Sequence, residues 1–240
     1  MAILNSTPSI KNCSFTCNRA NRGGGIYISD AAPVIENCQF VYNWGRSGGG
    51  IAVQGMHQTN KPVQIIDCLF QRNNASEDSF TATHRGGGVL SADAANLLVH
   101  NTEMEDNHAE IWGAGFECVE STCVFTDCLF ASNSAGIDSA NLGVSILQSE
   151  TSLQNCILCD QQLSEINGDW QDLGDNIEFE TCDCPDTNGD GLVDVNDILA
   201  IIESWGDCWP PFYCPADVDG DGTVNVNDVL LVIGEWGVCE

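Results

Sequence analysis

Ile35-Glu36-Asn37-Cys38-Gln39-Phe40-Val41-Tyr42-Asn43, followed by the glycine triplet and apolar strand Gly48-Gly49-Gly50-Ile51-Ala52-Val53, is one unit of a repeat spanning roughly residues 3–162. Aligned on Cys38 stand Cys13, Cys68, Thr102, Cys128 and Cys156, at spacings of 25, 30, 34, 26 and 28 residues. Three positions earlier every unit is apolar: Ile10, Ile35, Ile65, Val99, Phe125 and Leu153. Two positions later stand Phe15, Phe40, Phe70, Met104, Phe130 and Leu158. The residue before the aligned position is Asn12, Asn37, Asp67, Asn101, Asp127 or Asn155, and five positions after it stand Asn18, Asn43, Asn73, Asn107, Asn133 and finally Gln161.

Apolar residues two apart face one side of a strand, and a single such strand cannot bury that face alone. Stacking equivalent units buries a continuous column, which is the logic of a solenoid. Asn and Asp tolerate the left-handed backbone of a tight bend, and stacked Asn amides can bond along the axis. Glycine serves the other turn, at Gly23, Gly48, Gly86 and Gly113. The expected fold is therefore mainly β: a parallel β-helix of about six coils at residues 1–181, coils being roughly 4.8 Å apart.

The F-x-x-N pairs Phe15–Asn18, Phe40–Asn43, Phe70–Asn73 and Phe130–Asn133, with the glycine-rich turns, resemble the right-handed parallel β-helix repeats of chlamydial polymorphic outer-membrane proteins. The resemblance implies right-handedness. It implies no particular activity, because this fold hosts lyases, hydrolases, adhesins and spacers.

A second repeat, with a period of 31 residues, occupies the remainder, residues 182–240. Asp186-Thr187-Asn188-Gly189-Asp190-Gly191-Leu192-Val193-Asp194-Val195-Asn196-Asp197 aligns with Asp217-Val218-Asp219-Gly220-Asp221-Gly222-Thr223-Val224-Asn225-Val226-Asn227-Asp228. A 12-residue loop with oxygen donors at positions 1, 3, 5, 7, 9 and 12 and Gly at 6 suits a calcium ion. The side-chain ligands would be Asp186, Asn188, Asp190, Asp194 and Asp197, then Asp217, Asp219, Asp221, Asn225 and Asp228; Leu192 and Thr223 would offer carbonyls. Two ions are expected, with Val193 and Val224 pairing the loops. A helix follows each loop, with Ile198, Ile201, Ile202 and Trp205 as one apolar stripe and Val229, Val232, Ile233 and Trp236 as the other.

Loop then helix, twice, with Asp at position 12, resembles a type I dockerin over about residues 184–238. That resemblance implies a cohesin-like partner. The chain departs from it where cohesin contacts are made: Val195-Asn196 and Val226-Asn227 replace the usual Ser-Thr, and Ile202-Glu203 and Ile233-Gly234 replace basic pairs.

Thirty-five acidic and seven basic residues give a net charge of −28. That excludes nucleic acid as a partner, since phosphate binding requires a basic face. Fourteen cysteines favour an oxidising, extracellular setting. The expected disulfides are Cys118–Cys123, Cys208–Cys214, and Cys182 or Cys184 with Cys239; the Cys13–Cys156 column reads as buried thiols. No stretch is apolar enough to span a membrane, and Met1–Ser6 is not a signal peptide, so a processed or partial chain is expected.

Arg22, Arg46 and Arg85 each precede a glycine triplet, and stacked they would form a cationic ridge for a carboxylated or sulfated polysaccharide. His57, His84, His100 and His108 read as surface residues. No lyase or polygalacturonase signature occurs, so no catalytic residue is assigned. The leading reading is a secreted, non-catalytic, calcium-binding protein whose β-helix presents a carbohydrate- or cell-surface-binding face, anchored or sorted through the dockerin-like module. The alternatives are an extracellular polysaccharide lyase or glycoside hydrolase, and a structural rod that self-associates end to end.

Overall fold

A computed structural model describes residues 1–55, 61–76, 90–110, 113–136, 143–146, 149–159, 166–179, 185–188, 192–207, 216–218 and 223–238. The chain forms two compact units, Met1–Glu178 and Phe179–Glu240.

The first unit is a parallel β-solenoid. Sheet 1 stacks Ala2–Leu4, Ile26–Ser29, Ile51–Gln54, Leu90–Asp93, Phe116–Val119, Gly143–Ile146 and Ile166–Gly168. Sheet 2 stacks Ser9–Lys11, Val34–Glu36, Val63–Ile66, Asn96–His100, Thr122–Thr126, Glu150–Gln154 and Trp170–Asp172. Sheet 3 stacks Ser14–Thr16, Gln39–Val41, Leu69–Gln71, Glu103–Glu105, Leu129–Ala131, Ile157–Cys159 and Ile177–Phe179. Sheet 4 stacks Arg19–Arg22, Trp44–Ser47, Asn74–Ala75, His108–Ala109 and Ser134–Ala135. Among the described residues five turns carry a strand in every sheet, and further coils have strands in sheets 1–3.

The register reproduces the sequence columns. Ile10, Ile35, Ile65, Val99, Phe125 and Leu153 are lateral neighbours in sheet 2, and all are buried. Phe15, Phe40, Phe70, Met104, Phe130 and Leu158 are lateral neighbours in sheet 3. Phe40 lies 4.9 Å from Phe15 and 4.6 Å from Phe70, with the rings nearly parallel. Each buried phenyl ring contributes about 1.5–3 kcal/mol, so the columns supply the axial cohesion.

Single left-handed residues turn each corner. From sheet 2 to sheet 3 they are Asn12, Asn37, Asp67, Asn101, Asp127 and Asn155, with φ between +45° and +55°. From sheet 4 to sheet 1 they include Gly23 (φ +55°) and Gly48 (φ +65°). A Cβ on Gly24 would stand 2.3 Å from the Gly49 carbonyl oxygen, so the coils meet there backbone to backbone. From sheet 3 to sheet 4 the bend falls on Cys17, Tyr42, Arg72, Asp106 and Ser132, which no composition rule singles out.

Side chains fasten these bends. The buried thiols of Cys38, Cys68, Cys128 and Cys156 donate to the carbonyls of Glu36, Ile66, Thr126 and Gln154, two residues back, at 3.2–3.4 Å. The Thr102 hydroxyl makes the same bond to His100 at 3.0 Å, which explains its place in a cysteine column. These cysteines are free, whereas Cys118 and Cys123 form a disulfide as expected. Cys159 is also disulfide-bonded, an assignment the sequence did not suggest. Residues Cys182, Cys184, Cys208, Cys214 and Cys239 lie outside the described residues.

The second unit contains helices α1 (Val195–Glu203) and α2 (Val226–Gly234). Among its described residues Val193, Ile201, Ala216, Val224 and Val232 are buried, with Ile198, Val218 and Val229 packed against them.

Candidate functional site

The 31-residue repeat places equivalent groups in equivalent surroundings. Asp194 caps α1, its Oδ1 accepting the Asn196 N–H at 2.6 Å, and Asn225 caps α2 through the Asn227 N–H at 2.8 Å. Asp197 and Asp228 complete the capping boxes: Oδ2 of each accepts the N–H of Asp194 or Asn225 at 2.7 Å. Oδ1 of Asp197 further accepts from Asn188 N–H at 3.2 Å and from the Thr187 hydroxyl at 3.3 Å, drawing loop position 3 toward position 12.

Both carboxylates are completely buried. A buried charge is costly unless it is paired, and residues 182–240 contain no Lys, Arg or His. The helix N-termini and the donated N–H groups offset part of that cost. An all-oxygen donor set would suit a calcium ion. Asp186, Asn188, Leu192, Asp194, Asp197, Asp217, Thr223, Asn225 and Asp228 fall within the described residues; Asp190, Asp219 and Asp221 do not. Among the described residues no three His, Cys, Asp or Glu side chains converge. The Asn225 amide bonds the Thr223 carbonyl at 2.8 Å, occupying the oxygen expected to serve as a ligand.

Val193 and Val224 do not pair with each other, contrary to expectation. Leu192–Val193 pairs antiparallel with Gly237–Val238, beyond α2, and Thr223–Val224 pairs with Gly206–Asp207, beyond α1. Each loop is thus tied to the end of the other helix, an exchange that obeys the 31-residue period. The apolar stripe also differs. Ile201 and Val232 are buried, but Ile202, Trp205, Ile233 and Trp236 are exposed, as are Val195, Leu199, Val226 and Leu230. Each helix has two apolar faces, and among the described residues one of them is buried.

Arg22 and Arg46, two of the three residues of the expected ridge, lie on sheet 4. Ala20 pairs with Gly45 and Arg22 with Ser47, so Arg22 and Arg46 are one residue out of step. Arg22 bonds Gln54, which also accepts from the Tyr27 hydroxyl at 2.8 Å. Arg85 lies outside the described residues. Arg19 and Arg46 instead flank Trp44 in a cleft of about 420 Å³ also lined by Ala20 and Asn21. The Arg19 guanidinium stands 4.0 Å from the Trp44 ring centroid.

A family model described as right-handed β-helix region matches residues 2–184. The chain belongs to the right-handed β-helix family. No curated protein and no solved structure matches it. This β-helix carries one acid pair that sequence reasoning passed over: Glu103 and Glu105, alternate residues on the outward face of sheet 3. Burial, then the Glu105 charge, pushes the Glu103 carboxyl up to about 8, and burial followed by the Asp106 charge raises Glu105. Leu69 and Leu129 flank Glu103 in register, which accounts for the desolvation. His100 and His108 are near-surface groups bonded to Thr126 and Ser134, whereas His57 and His84 lie outside the described residues.

Proposed function

We propose that this β-helix protein acts outside the cell as a non-catalytic binding rod, carried by a dockerin-like module that holds two calcium ions. The observation that carries the reading is the pair of fully buried carboxylates, Asp197 and Asp228, 31 residues apart in a segment devoid of basic residues. The exposed apolar pairs Val195/Val226, Leu199/Leu230, Ile202/Ile233 and Trp205/Trp236 support a module that docks on a partner. That partner is a cohesin-like or cell-surface protein met by apolar contacts, since the Ser-Thr and basic positions are replaced. The rod, resembling the polymorphic outer-membrane protein repeats, would present a carbohydrate-binding side.

Limited proteolysis of the full chain with calcium or with a chelator tests the module. Protection of residues 182–240 by calcium is expected; equal cleavage in both conditions contradicts the proposal.

The Glu103–Glu105 pair favours a second reading, a carbohydrate-cleaving enzyme using a protonated acid beside an ionised carboxylate. Incubation with polyuronates and neutral glucans, followed by assay for new reducing ends or unsaturated products, separates the two. The binding-rod reading expects none.

A further inference from the structure

The cysteine column between sheets 2 and 3 holds a pair of thiols that neither the rod's binding role nor the calcium module uses. Lys11 pairs with Glu36 before the bend and Ser14 with Gln39 after it, so Cys13 and Cys38 stand in register on adjacent coils. The Gln39 N–H donates to the Cys13 carbonyl at 2.9 Å and fastens the two positions together. Coils lie roughly 4.8 Å apart, and a disulfide spans Cα separations of about 4.4–6.8 Å. The two thiols are also aimed alike. The Cys13 sulfur is 3.2 Å from the Lys11 carbonyl oxygen and the Cys38 sulfur 3.3 Å from the Glu36 carbonyl oxygen, each two residues back. The Cys38 sulfur further lies 3.7 Å from the Ile10 carbonyl oxygen, which belongs to the coil of Cys13. It therefore already leans across the interval that a disulfide would close.

Losing the thiol protons would strand neither carbonyl. That of Glu36 also accepts the Asn12 N–H at 3.1 Å, and Lys11 is exposed to water. The members of the column differ in readiness. Cys13 is exposed, whereas Cys38 and Cys68 are buried. Hydrogen bonding from Cys68, helped by Cys13, holds the Cys38 thiol down to about 6 against the effect of burial. The same contact with Cys38, followed by burial, pushes the Cys68 thiol up. An accessible sulfur thus adjoins one that ionises easily, and a third stays protonated behind them. Next along the column stands Thr102, whose hydroxyl cannot exchange with a disulfide, so the buried Cys128 and Cys156 are cut off from Cys13.

We propose that Cys13 and Cys38 form an oxidisable dithiol that reacts with a small organic disulfide, such as glutathione disulfide, and becomes an axial disulfide joining two coils of the rod. The Cys13 thiolate attacks one sulfur of the reagent, breaks its S–S bond and releases one glutathione thiolate, which takes up the proton that Cys13 lost. The Cys38 thiolate then attacks the Cys13 sulfur of the mixed disulfide and expels the second glutathione, which takes up the proton from Cys38. Two protein thiols are oxidised by two electrons, and one glutathione disulfide is reduced to two glutathione thiols. Cys13 is the point of entry, because the thiolate must also be accessible, and Cys38 is the resolving thiol. The link closes a loop between positions 25 residues apart, which restricts the unfolded chain and stabilises the folded rod.

The test treats the full chain, with calcium present, with glutathione disulfide, quenches in acid, alkylates the remaining thiols and maps every linkage by peptide mass spectrometry. A Cys13–Cys38 link is expected, with Cys128 and Cys156 recovered as alkylated thiols, and the linked chain should melt at a higher temperature than the reduced one. Cys38→Thr, a residue the column already accepts at Thr102, should stop the reaction at a lasting Cys13–glutathione adduct. Cys17→Ser, exposed at the following corner, should leave the link unchanged. Circular dichroism of each variant checks the fold, and the mapping of the unaltered chain decides the matter if a variant does not fold. A glutathione adduct that persists on Cys13 of the unaltered chain overturns the assignment, as does Cys13 joined to Cys17, to Cys68 or to a second chain. Cys13 left unmodified overturns it too, and a Cys128–Cys156 link formed under the same conditions overturns the isolating role of Thr102.

Discussion

The Asn43 side-chain amide donates to Oδ1 of Asn73 at 3.0 Å, one coil further along the rod, and neither residue is reached by water. The same bond joins Asn18 to Asn43, Asn73 to Asn107 and Asn107 to Asn133, at 2.9–3.1 Å. The second amide proton of Asn43, Asn73, Asn107 and Asn133 goes to a carbonyl of the preceding coil, at Phe15, Phe40, Phe70 and Met104. The ladder is therefore a polar column with its donors satisfied, running beside the phenylalanine stack.

Breaking it in the middle leaves partners stranded in the core. Asn73→Ala should cost about 2–4 kcal/mol, because the Asn43 donors and the Phe40 carbonyl lose their partners without access to water. Asn18→Ala, at the exposed first coil, should cost about 1 kcal/mol. Chemical denaturation of both variants checks the ratio; equal losses would contradict the ladder.

Thiol reactivity should divide by position. Cys13 and Cys17 are exposed, whereas Cys38, Cys68, Cys128 and Cys156 are buried, and burial pushes the Cys128 thiol well above its ordinary value. Thiolate is the reactive form and needs access, so brief alkylation of the native chain should label Cys13 and Cys17 and spare Cys38, Cys68, Cys128 and Cys156. Cys68→Thr should fold, since Thr102 already fills that column with an equivalent bond. Mass spectrometric mapping checks the first claim and thermal melting the second.

The sheet 3 acids set a pH dependence. Glu103 has its folded value raised from 4.5 to about 8, so the folded state holds a proton that the unfolded state releases. Its contribution is present below about 4.5 and is lost as pH rises toward 8. Glu105 is raised as well, opposed by the Gln71 hydrogen bond and the Arg72 charge. Glu103→Gln should remove part of the fall in melting temperature between pH 5 and pH 8.5, at constant calcium. An unchanged slope in the variant would contradict the assignment.

Much of the rod was legible in the sequence. The isoleucine and phenylalanine columns announce themselves because a period of two with apolar residues has one inward side, and the Asx column because few residues accept a left-handed bend. The corner at Cys17, Tyr42, Arg72, Asp106 and Ser132 was not legible, since its conformation is imposed by the buried Asn that follows and not by local preference. The one-residue offset of Arg22 and Arg46 can be traced to the turn: Arg22 abuts Gly23, but Ser47 stands between Arg46 and Gly48. In the C-terminal unit the 3.6-residue period identified both helices but could not tell which of two apolar faces is inward. Ile201 is buried and its neighbour Ile202 is exposed, a choice made by the exchanged strands.

That exchange makes the module a single cooperative body. Val224 is fully buried and pairs with Gly206, so Val224→Asp should disturb α1 as well as its own loop. Hydrogen exchange should show lost protection over Val195–Glu203 as well as Val226–Gly234; loss confined to α2 would contradict the exchange.

Among the described residues of this unit two carboxylates are buried beside five apolar side chains, and small metal-dependent modules couple ion binding to folding. The decisive measurement is a calcium titration of the chelator-treated full chain, followed by calorimetry and far-ultraviolet circular dichroism together. Two ions should bind per chain with a gain in helical signal, and Asp197→Asn and Asp228→Asn should each remove one. Absence of binding heat with an unchanged spectrum would contradict the calcium module outright.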